Sequence, residues 1–278
     1  MLELSEQNTV VCPKCGAINP LNANYCYNCG LQLQPKAQPY PEPTQTQTSG
    51  GAFSKKNILE AFTTKRVKLM VVVFIVELAL LLAFSALPMS QAQYQAIVNS
   101  SSYSQLSRVR SEPLILRSAS IFENNYLLAS LEILPVIGPA IFVYTTYSTA
   151  RVLVALGYTQ SVPGPLLFLN IMFFPHSWIE LPAYAISATQ SILLVYSGIK
   201  KRFYQELART IVVWLFVGLE LFVAAIIESS IIALEQQGAL SLILWLPTLA
   251  IFYLSYRVLK RLNSSQSFSG NPPTNTST

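Results

Sequence analysis

Four cysteines near the N-terminus have the type and spacing of a metal site. Cys12 and Cys15 form one Cys-x-x-Cys pair, Cys26 and Cys29 form a second, and the chain contains no other cysteine. Four thiolates in this arrangement bind one tetrahedral Zn²⁺, and because all four positions are filled the ion is structural. Each pair is followed by a glycine, which can adopt the positive φ of a tight turn. Two disulfides are the alternative, and they require an oxidising compartment.

The segment around the cysteines resembles a zinc ribbon, a short module that docks onto other proteins. Its apolar core is predicted to be small, so the metal must supply most of the folding energy. Few cations lie nearby, and nucleic-acid binding is therefore not expected. The predicted core residues are Ile18, Leu21, Tyr25 and Leu31, and the nearby cations are Lys14 and Lys36.

A histidine and a glutamate within an apolar run form a second candidate site. His176, the only histidine, and Glu180 lie within residues 163–199. An ionisable residue in hydrocarbon costs about 2.5–3.5 kcal/mol on insertion scales, so such residues tend to be paired and functional. A spacing of four places both on one helix face, and Pro175 and Pro182 predict irregular backbone beside them. A hydrogen bond that locks two helices together and a substrate or ion site both remain open.

The composition indicates a membrane protein. Hydrophobic residues make up 52% of the chain and charged residues 11%, whereas soluble domains contain about 25% charged residues. The cations that give a net charge of +5 stand beside apolar runs, a pattern set by membrane topology. Residues 1–11 lack the apolar core of a signal peptide, so none is predicted.

The apolar runs predict an all-α polytopic fold with about six transmembrane helices, one of them broken. A continuous helix over the fourth run would be about 51 Å long, so we expect a short piece to Phe174, an elbow at His176–Glu180 and a helix from about Pro182. The second and third runs are either two crossings or a re-entrant element plus one crossing. The runs are residues 67–87, 114–134, 140–156, 166–199, 210–234 and 239–256.

Cations before the first run and after the fourth and last runs place both termini in the cytoplasm. The polar segment 89–113 is then outside, where the Asn99-Ser100-Ser101 sequon would be available for glycosylation. Five units follow from these boundaries. They are a zinc ribbon (1–33), a disordered linker (34–52), a basic amphipathic lead-in helix on the inner lipid surface (53–66), a transmembrane domain (67–262) and a disordered tail (263–278).

The depths of the polar residues predict one intramembrane cluster. Each helical residue rises 1.5 Å, and on this scale several polar residues fall in the outer half of the membrane, with Arg151 the expected counter-ion of a carboxylate. Two further glutamates lie nearer mid-depth. Separate hydrogen bonds between helices are the alternative. The predicted members are Glu123, Asn124, Asn125, Arg151, His176, Glu180 and Glu228, extended inward by Glu77 and Glu220.

Two of these stretches resemble a known family. The Asn124-Asn125 pair precedes a Gly/Pro-containing break, and His176-Ser177-Trp178-Ile179-Glu180-Leu181-Pro182-Ala183 is similar to the motif His-Gly-x-x-Glu-Leu-Pro-Ala of the stage II sporulation protein M family. The resemblance covers about residues 67–261, with Ser177 in place of glycine, and archaeal members are similar in carrying a zinc ribbon. It implies a membrane scaffold for envelope enzymes.

Three functional classes follow. The first is a membrane scaffold, in which the ribbon docks a cytoplasmic protein and the outer part engages an envelope complex. The second is a transporter or permease subunit that moves a small solute or ion through the polar cluster. An enzyme is not expected, because one histidine without a His-Glu-x-x-His motif offers few metal ligands. Self-association of the chain remains open.

Overall fold

The computed structural model describes residues 9–33, 60–234 and 242–268. The chain divides into two compact units, Met1–Gly50 and Gly51–Thr278. The first unit contains the cysteines, and the second contains the apolar runs. The predicted linker (34–52) lies outside the described residues, as do residues 53–59 of the predicted lead-in helix.

The first unit is a β-hairpin followed by a second turn. Strands β1 (Thr9–Val11) and β2 (Ile18–Pro20) pair antiparallel, with Val11 opposite Ile18. Three of the four residues predicted to form the small apolar core of the ribbon do not lie in its interior. Ile18, Leu21 and Tyr25 are exposed, whereas Cys12, Asn19 and Cys26 are buried. A module this small has no second layer to cover apolar side chains, so its interior consists of the cysteines and their neighbours.

The described part of the second unit is helical. Two short helices lie between the first and second apolar runs, and the fourth run is divided into a short helix and a long one. In chain order the helices are α1 (Thr64–Ser85), α2 (Gln91–Val98), α3 (Ser101–Ser111), α4 (Leu114–Glu132), α5 (Gly138–Tyr158), α6 (Gly164–Met172), α7 (Ser177–Ile199), α8 (Phe203–Leu234) and α9 (Trp245–Phe268).

Among the described residues, α1, α5 and α8 are long and apolar enough to span a membrane. The last apolar stretch, Leu242–Arg257, is shorter. The structure therefore confirms a helical unit with candidate membrane spans that follows a small ribbon in the sequence. The number of about six crossings stays a prediction.

Residues 114–156, for which two arrangements were open, form two long helices. α4 has 19 residues and α5 has 21, and at 1.5 Å per residue α4 is about 28 Å long. The turn between them contains Val136 at a φ of 74°. Gly138 follows so closely that a Cβ there would overlap the carbonyl oxygen of Glu132 and lie 2.7 Å from Oγ of Ser191. Only glycine fits this approach of two helix ends.

The fourth run breaks as predicted, but over a shorter stretch. α6 ends at Met172 and α7 begins at Ser177, so Glu180 lies in the first turn of α7 and Pro182 lies inside that helix. The prediction of a helix starting at Pro182 is wrong, because proline removes only one i→i−4 hydrogen bond and the flanking turns remain intact. Side chains at the start of α7 donate to the last carbonyls of α6. Ser177 donates to the Ile171 oxygen at 2.9 Å and the Trp178 indole to the Met172 oxygen at 2.8 Å.

α7 is the central helix of the second unit and packs against α1, α4, α5 and α8. Small residues allow this close approach, and Ala183, Ala185, Ser187 and Ala188 are all buried. The largest core cluster joins Ala183 and Ile186 of α7 to Val213, Val217 and Leu221 of α8. Polar side chains on α7 are therefore enclosed by other helices.

Two predicted boundaries change. α9 continues to Phe268, so the prediction of a disordered tail from Asn263 is wrong for residues 263–268, and residues 269–278 lie outside the described part. An existing helix gains one hydrogen bond per added residue, which lets it extend into a polar sequence. At the other end, Lys65 and Arg66 belong to α1 itself rather than to a separate lead-in helix.

Candidate functional sites

The four cysteines converge on one point in the first unit. Their sulfurs all lie within 4.8 Å of one another, with Sγ–Sγ distances of 3.6 Å between Cys12 and Cys29 and between Cys15 and Cys26. Sulfurs bound to Zn²⁺ at about 2.3 Å in a tetrahedron stand about 3.8 Å apart. All four are free thiols, so the disulfide alternative does not describe this structure. The arrangement is that of a metal-binding site.

Two matching turns hold the cysteines. The N–H of Gly16 donates to the Cys12 carbonyl and that of Gly30 to the Cys26 carbonyl, each at 2.9 Å. Both glycines have positive φ, 73° and 67°. Desolvation raises the pKa of the Cys26 thiol, but nearby backbone N–H donors and thiols outweigh it and lower the pKa from 9.0 to about 6. In the same cluster a backbone hydrogen bond from Leu31 is outweighed by desolvation and the neighbouring thiols, which raise the pKa of the Cys29 thiol to about 12. The four cysteines therefore share protons that a bound metal ion displaces.

Asn19 supports this site, and the sequence analysis missed it. Its side chain is buried, with Nδ2 3.6 Å from Sγ of Cys26 and Oδ1 accepting a hydrogen bond of 3.0 Å from the N–H of Tyr27. Such outer contacts orient metal ligands. Its only sequence signal is a polar residue in a short strand.

The ribbon exposes apolar side chains around its metal site. Tyr27 is 77% exposed, Ile18 61% and Val11 59%, and Tyr25 is also exposed. Val11 and Ile18 are partners across the hairpin, so their side chains lie on the same face of the sheet. These side chains are the exposed apolar surface of the ribbon.

In the second unit, residues from three helices meet around Glu180. Nδ2 of Asn125 on α4 and the hydroxyl of Tyr184 on α7 each donate to Oε1 of Glu180 at 3.0 Å. Nδ2 of Asn124 donates to Oδ1 of Asn125 at 3.1 Å. One ligand-type atom each of His176, Glu180 and Glu228 lie within 4.8 Å of one another. We call Asn124, Asn125, His176, Glu180, Tyr184 and Glu228 the polar cluster.

Arg151 does not belong to the polar cluster, and its predicted role as counter-ion of a carboxylate is wrong. Its guanidinium donates to the carbonyl oxygens of Leu87 at 2.8 Å and Pro88 at 3.1 Å, just beyond the end of α1. Arg117 on α4 donates to Oγ and the carbonyl oxygen of Ser229, each at 2.9 Å. The charges of Arg110 and Arg117 both act on Glu228.

A second group of buried carboxylates contains Glu77, which was predicted, and Glu132, which was not. Glu77 and Glu132 are both buried, and the charges of Glu132 and Glu180 act on Glu77. Oε1 of Glu132 accepts a hydrogen bond of 2.7 Å from Thr145, whereas Oε2 of Glu77 and Oε2 of Glu132 lack partners among the described residues. This second group of carboxylates lies beside the polar cluster.

The remaining predicted members lie apart. Glu123 is exposed on α4. Among the described residues, Oε2 of Glu220 on α8 is buried without a hydrogen-bond partner. Asn99 is exposed at the end of α2.

Polar side chains continue along one face of α7. Spacings of three and four residues connect Glu180, Tyr184, Ser187 and Ser191, and Gln190 lies beside them. Ser187 Oγ and both polar atoms of the Gln190 side chain are buried without a hydrogen-bond partner in the described part of the chain. Buried polar groups of this kind are usually satisfied by water. We call this row of side chains the α7 polar face.

Charged residues surround a cavity of about 700 Å³ at the end of the bundle formed by the start of α1, the end of α7 and the start of α8. Arg66 pairs with Glu206, and Arg209 pairs with Glu206 and Glu60. Lys200 and Arg202 also line the cavity. Cations from two separate stretches of the sequence, Arg66 and residues 200–209, therefore share one end of the second unit.

Comparison with known proteins identifies the first unit alone. The family described as zinc-ribbon domain matches residues 11–33, the segment that contains the four converging cysteines. No curated protein and no solved structure matches the chain.

Proposed function

We propose that the chain is a multi-pass membrane scaffold whose zinc-loaded ribbon docks a cytoplasmic protein, while the helical unit anchors the assembly and engages an envelope component. The observation that carries this proposal is the exposed apolar surface of the ribbon around Val11, Ile18, Tyr25 and Tyr27. The ribbon needs Zn²⁺ as a structural ion, because the described module has almost no other interior.

The charge distribution supports a cytoplasmic location of both termini. Arg66, Lys200, Arg202 and Arg209 lie at one end of the bundle, and cations accumulate on the cytoplasmic side of membrane proteins. α1 begins at this end, so the ribbon that precedes it would be cytoplasmic. Zn²⁺ thiolates are stable in that reducing compartment, where disulfides are rare.

The helical unit is proposed to belong with the stage II sporulation protein M family. The two stretches that carry the resemblance are 55 positions apart at Asn125 and Glu180, yet these two side chains are hydrogen-bonded. Contact between the two motifs is expected if they build one site. A scaffold role follows from the resemblance by analogy, and the docking surface supports it independently.

Isolation of intact complexes tests the scaffold. Full-length protein is purified in mild detergent, and co-purifying proteins are identified by mass spectrometry. We expect a stable partner with the wild type and with Asn22→Ser, an exposed polar control in the ribbon, and loss of that partner with Tyr27→Ser or Ile18→Ser at unchanged zinc content. Partner recovery that is indifferent to Tyr27 and Ile18 contradicts docking through this surface.

The α7 polar face favours a second candidate function, movement of a small cation or proton through the helical unit. Ser187 and Gln190, which lack hydrogen-bond partners in the part of the chain that the structure describes, continue from Glu180 along one helix. Intramembrane carboxylates with polar neighbours are typical of ion pathways. Ion flux in liposomes, measured for the wild type and Gln190→Leu, tests this function. Flux that Gln190→Leu abolishes supports it, and the absence of flux contradicts it.

A further inference from the structure

We propose that His176, Glu180 and Glu228 bind a divalent transition-metal ion inside the helical unit. This site is separate from the cysteine site of the ribbon. The inference rests on the geometry of the polar cluster and is independent of whether the ribbon docks a partner.

The geometry brings three ligands to one point. His176 lies immediately before α7, Glu180 in its first turn and Glu228 on α8, and one ligand-type atom of each lies within 4.8 Å of the others. Bonds of about 2.0–2.2 Å to a shared ion place ligand atoms up to about 4.2 Å apart. A small rotation of the side chains would bring the three ligand atoms to the spacing that a shared ion requires.

His176 has one buried nitrogen without a hydrogen-bond partner in the described part of the chain. Its Nδ1 is buried and has no hydrogen-bond partner among the described residues, while Nε2 lies 3.5 Å from the hydroxyl of Ser177. An imidazole nitrogen closed off from solvent loses its hydrogen bond to water without replacement. Coordination of a metal ion would supply the missing interaction, since neutral imidazole is a common metal ligand.

The charges of the site also suit a divalent cation. Two ionised carboxylates close together repel each other, and burial makes this repulsion costly. A divalent ion between Glu180 and Glu228 neutralises both, and neutral His176 adds no charge. The ion and its three ligands together carry zero net charge, which apolar surroundings tolerate best, and the charges of Arg110 and Arg117 act on Glu228 from outside this group.

Neighbouring side chains already orient one ligand. Asn125 and Tyr184 both donate to Oε1 of Glu180, which fixes the carboxylate and directs its other oxygen elsewhere. Hydrogen bonds of this kind position the ligands of metal sites.

The donor set indicates the class of metal. One imidazole nitrogen and two carboxylate oxygens suit Mn²⁺, Fe²⁺ or Zn²⁺, whereas the four thiolates of the ribbon favour Zn²⁺. Mn²⁺ is therefore the probe that separates the two sites, because a zinc-loaded ribbon leaves it only oxygen and nitrogen ligands.

Electron paramagnetic resonance of Mn²⁺ tests the proposal. Full-length protein with a zinc-loaded ribbon, purified without a histidine tag and placed in lipid nanodiscs, is titrated with Mn²⁺. We expect about one bound Mn²⁺ per chain. Pulsed measurements should show coupling to one imidazole nitrogen, and since His176 is the only histidine, that coupling assigns the ligand in the wild type without any variant.

Matched variants complete the test. Glu228→Gln should weaken Mn²⁺ binding by at least about tenfold, whereas Glu123→Gln, which changes an exposed carboxylate of α4, should bind as the wild type does. Zinc content and the elution volume of each variant report its folding. No Mn²⁺ binding by the wild type, or bound Mn²⁺ without nitrogen coupling, overturns the proposal. Either result leaves partner recovery through the ribbon unaffected, so the two proposals fail separately.

Discussion

Nδ2 of Asn125 on α4 donates a hydrogen bond of 3.0 Å to Oε1 of Glu180 on α7. The bond joins two helices, and the same carboxylate oxygen accepts the hydroxyl of Tyr184. In apolar surroundings neither partner can exchange this bond for one with water, so each side chain depends on the other. The polar cluster is built around this contact.

Close approach of α5 to the end of α4 should make position 138 intolerant of any side chain. Gly138→Ala places a Cβ against the backbone oxygen of Glu132 and near Ser191, and we expect a loss of about 2–3 kcal/mol in the free energy of unfolding. Gly198→Ala is the control, because the nearest atom to its Cβ lies 3.9 Å away on Phe203. Unfolding in detergent micelles measures both, and equal stabilities of the two variants contradict the close approach.

Arg151 should stabilise the fold through its contacts beyond the end of α1. Arg151→Met leaves the Leu87 and Pro88 carbonyls without a donor, and hydrogen bonds to charged groups contribute about 1.5–3 kcal/mol each. We expect a clear fall in the midpoint of thermal unfolding. Arg257→Met, which removes an exposed guanidinium bonded to Tyr253, should have little effect. If Arg257→Met lowered the midpoint of thermal unfolding more than Arg151→Met did, the proposed role of the Arg151 contacts would be contradicted.

Removal of metal should unfold the ribbon and leave the helical unit intact. Binding of structural Zn²⁺ provides roughly 10–16 kcal/mol in comparable small modules, and the described ribbon has little apolar interior to replace it. After treatment with a strong chelator, limited proteolysis with mass spectrometry should detect new cleavage within residues 9–33, reversed by added Zn²⁺. An unchanged cleavage pattern would mean that the fold of the ribbon is independent of metal.

Asn99 should be accessible from outside if both termini are cytoplasmic. Expressed in a host that glycosylates exported segments, the wild type should carry a glycan that a glycosidase removes, and Asn99→Gln should not. Ser101→Ala is a second variant that removes the sequon without changing the asparagine. A glycan at an engineered sequon near the ribbon instead would invert the orientation.

The local features were predictable from the sequence because short-range chemistry determines them. Two Cys-x-x-Cys pairs require two similar turns around one ion, and the length of the fourth apolar run together with Pro175 requires a break. Tyr184 had a signal that was overlooked, since it follows Glu180 by four residues on the same helix face. The family of the ribbon was likewise indicated by spacing alone.

The sequence did not predict which neighbouring helix each polar side chain faces. Residue number gives the depth of Arg151 in a bundle, but its direction around the helix axis and the neighbour it meets depend on packing. The same limit hid the contact of Glu132 with Thr145 across the turn between α4 and α5. Pro182 was misjudged for another reason, because one lost hydrogen bond is small beside the packing that encloses α7.

A double-mutant cycle between Asn125 and Glu180 tests the polar cluster most directly. The stabilities of Asn125→Ala, Glu180→Ala and the double variant are measured by unfolding in detergent micelles, with the exposed Asn170→Ala paired with Glu180→Ala as the control cycle. The contact predicts a coupling energy of about 0.6–1.7 kcal/mol for Asn125 and Glu180, and additivity within about 0.3–0.5 kcal/mol for Asn170 and Glu180. Additive effects in both cycles would contradict the contact on which the cluster is built.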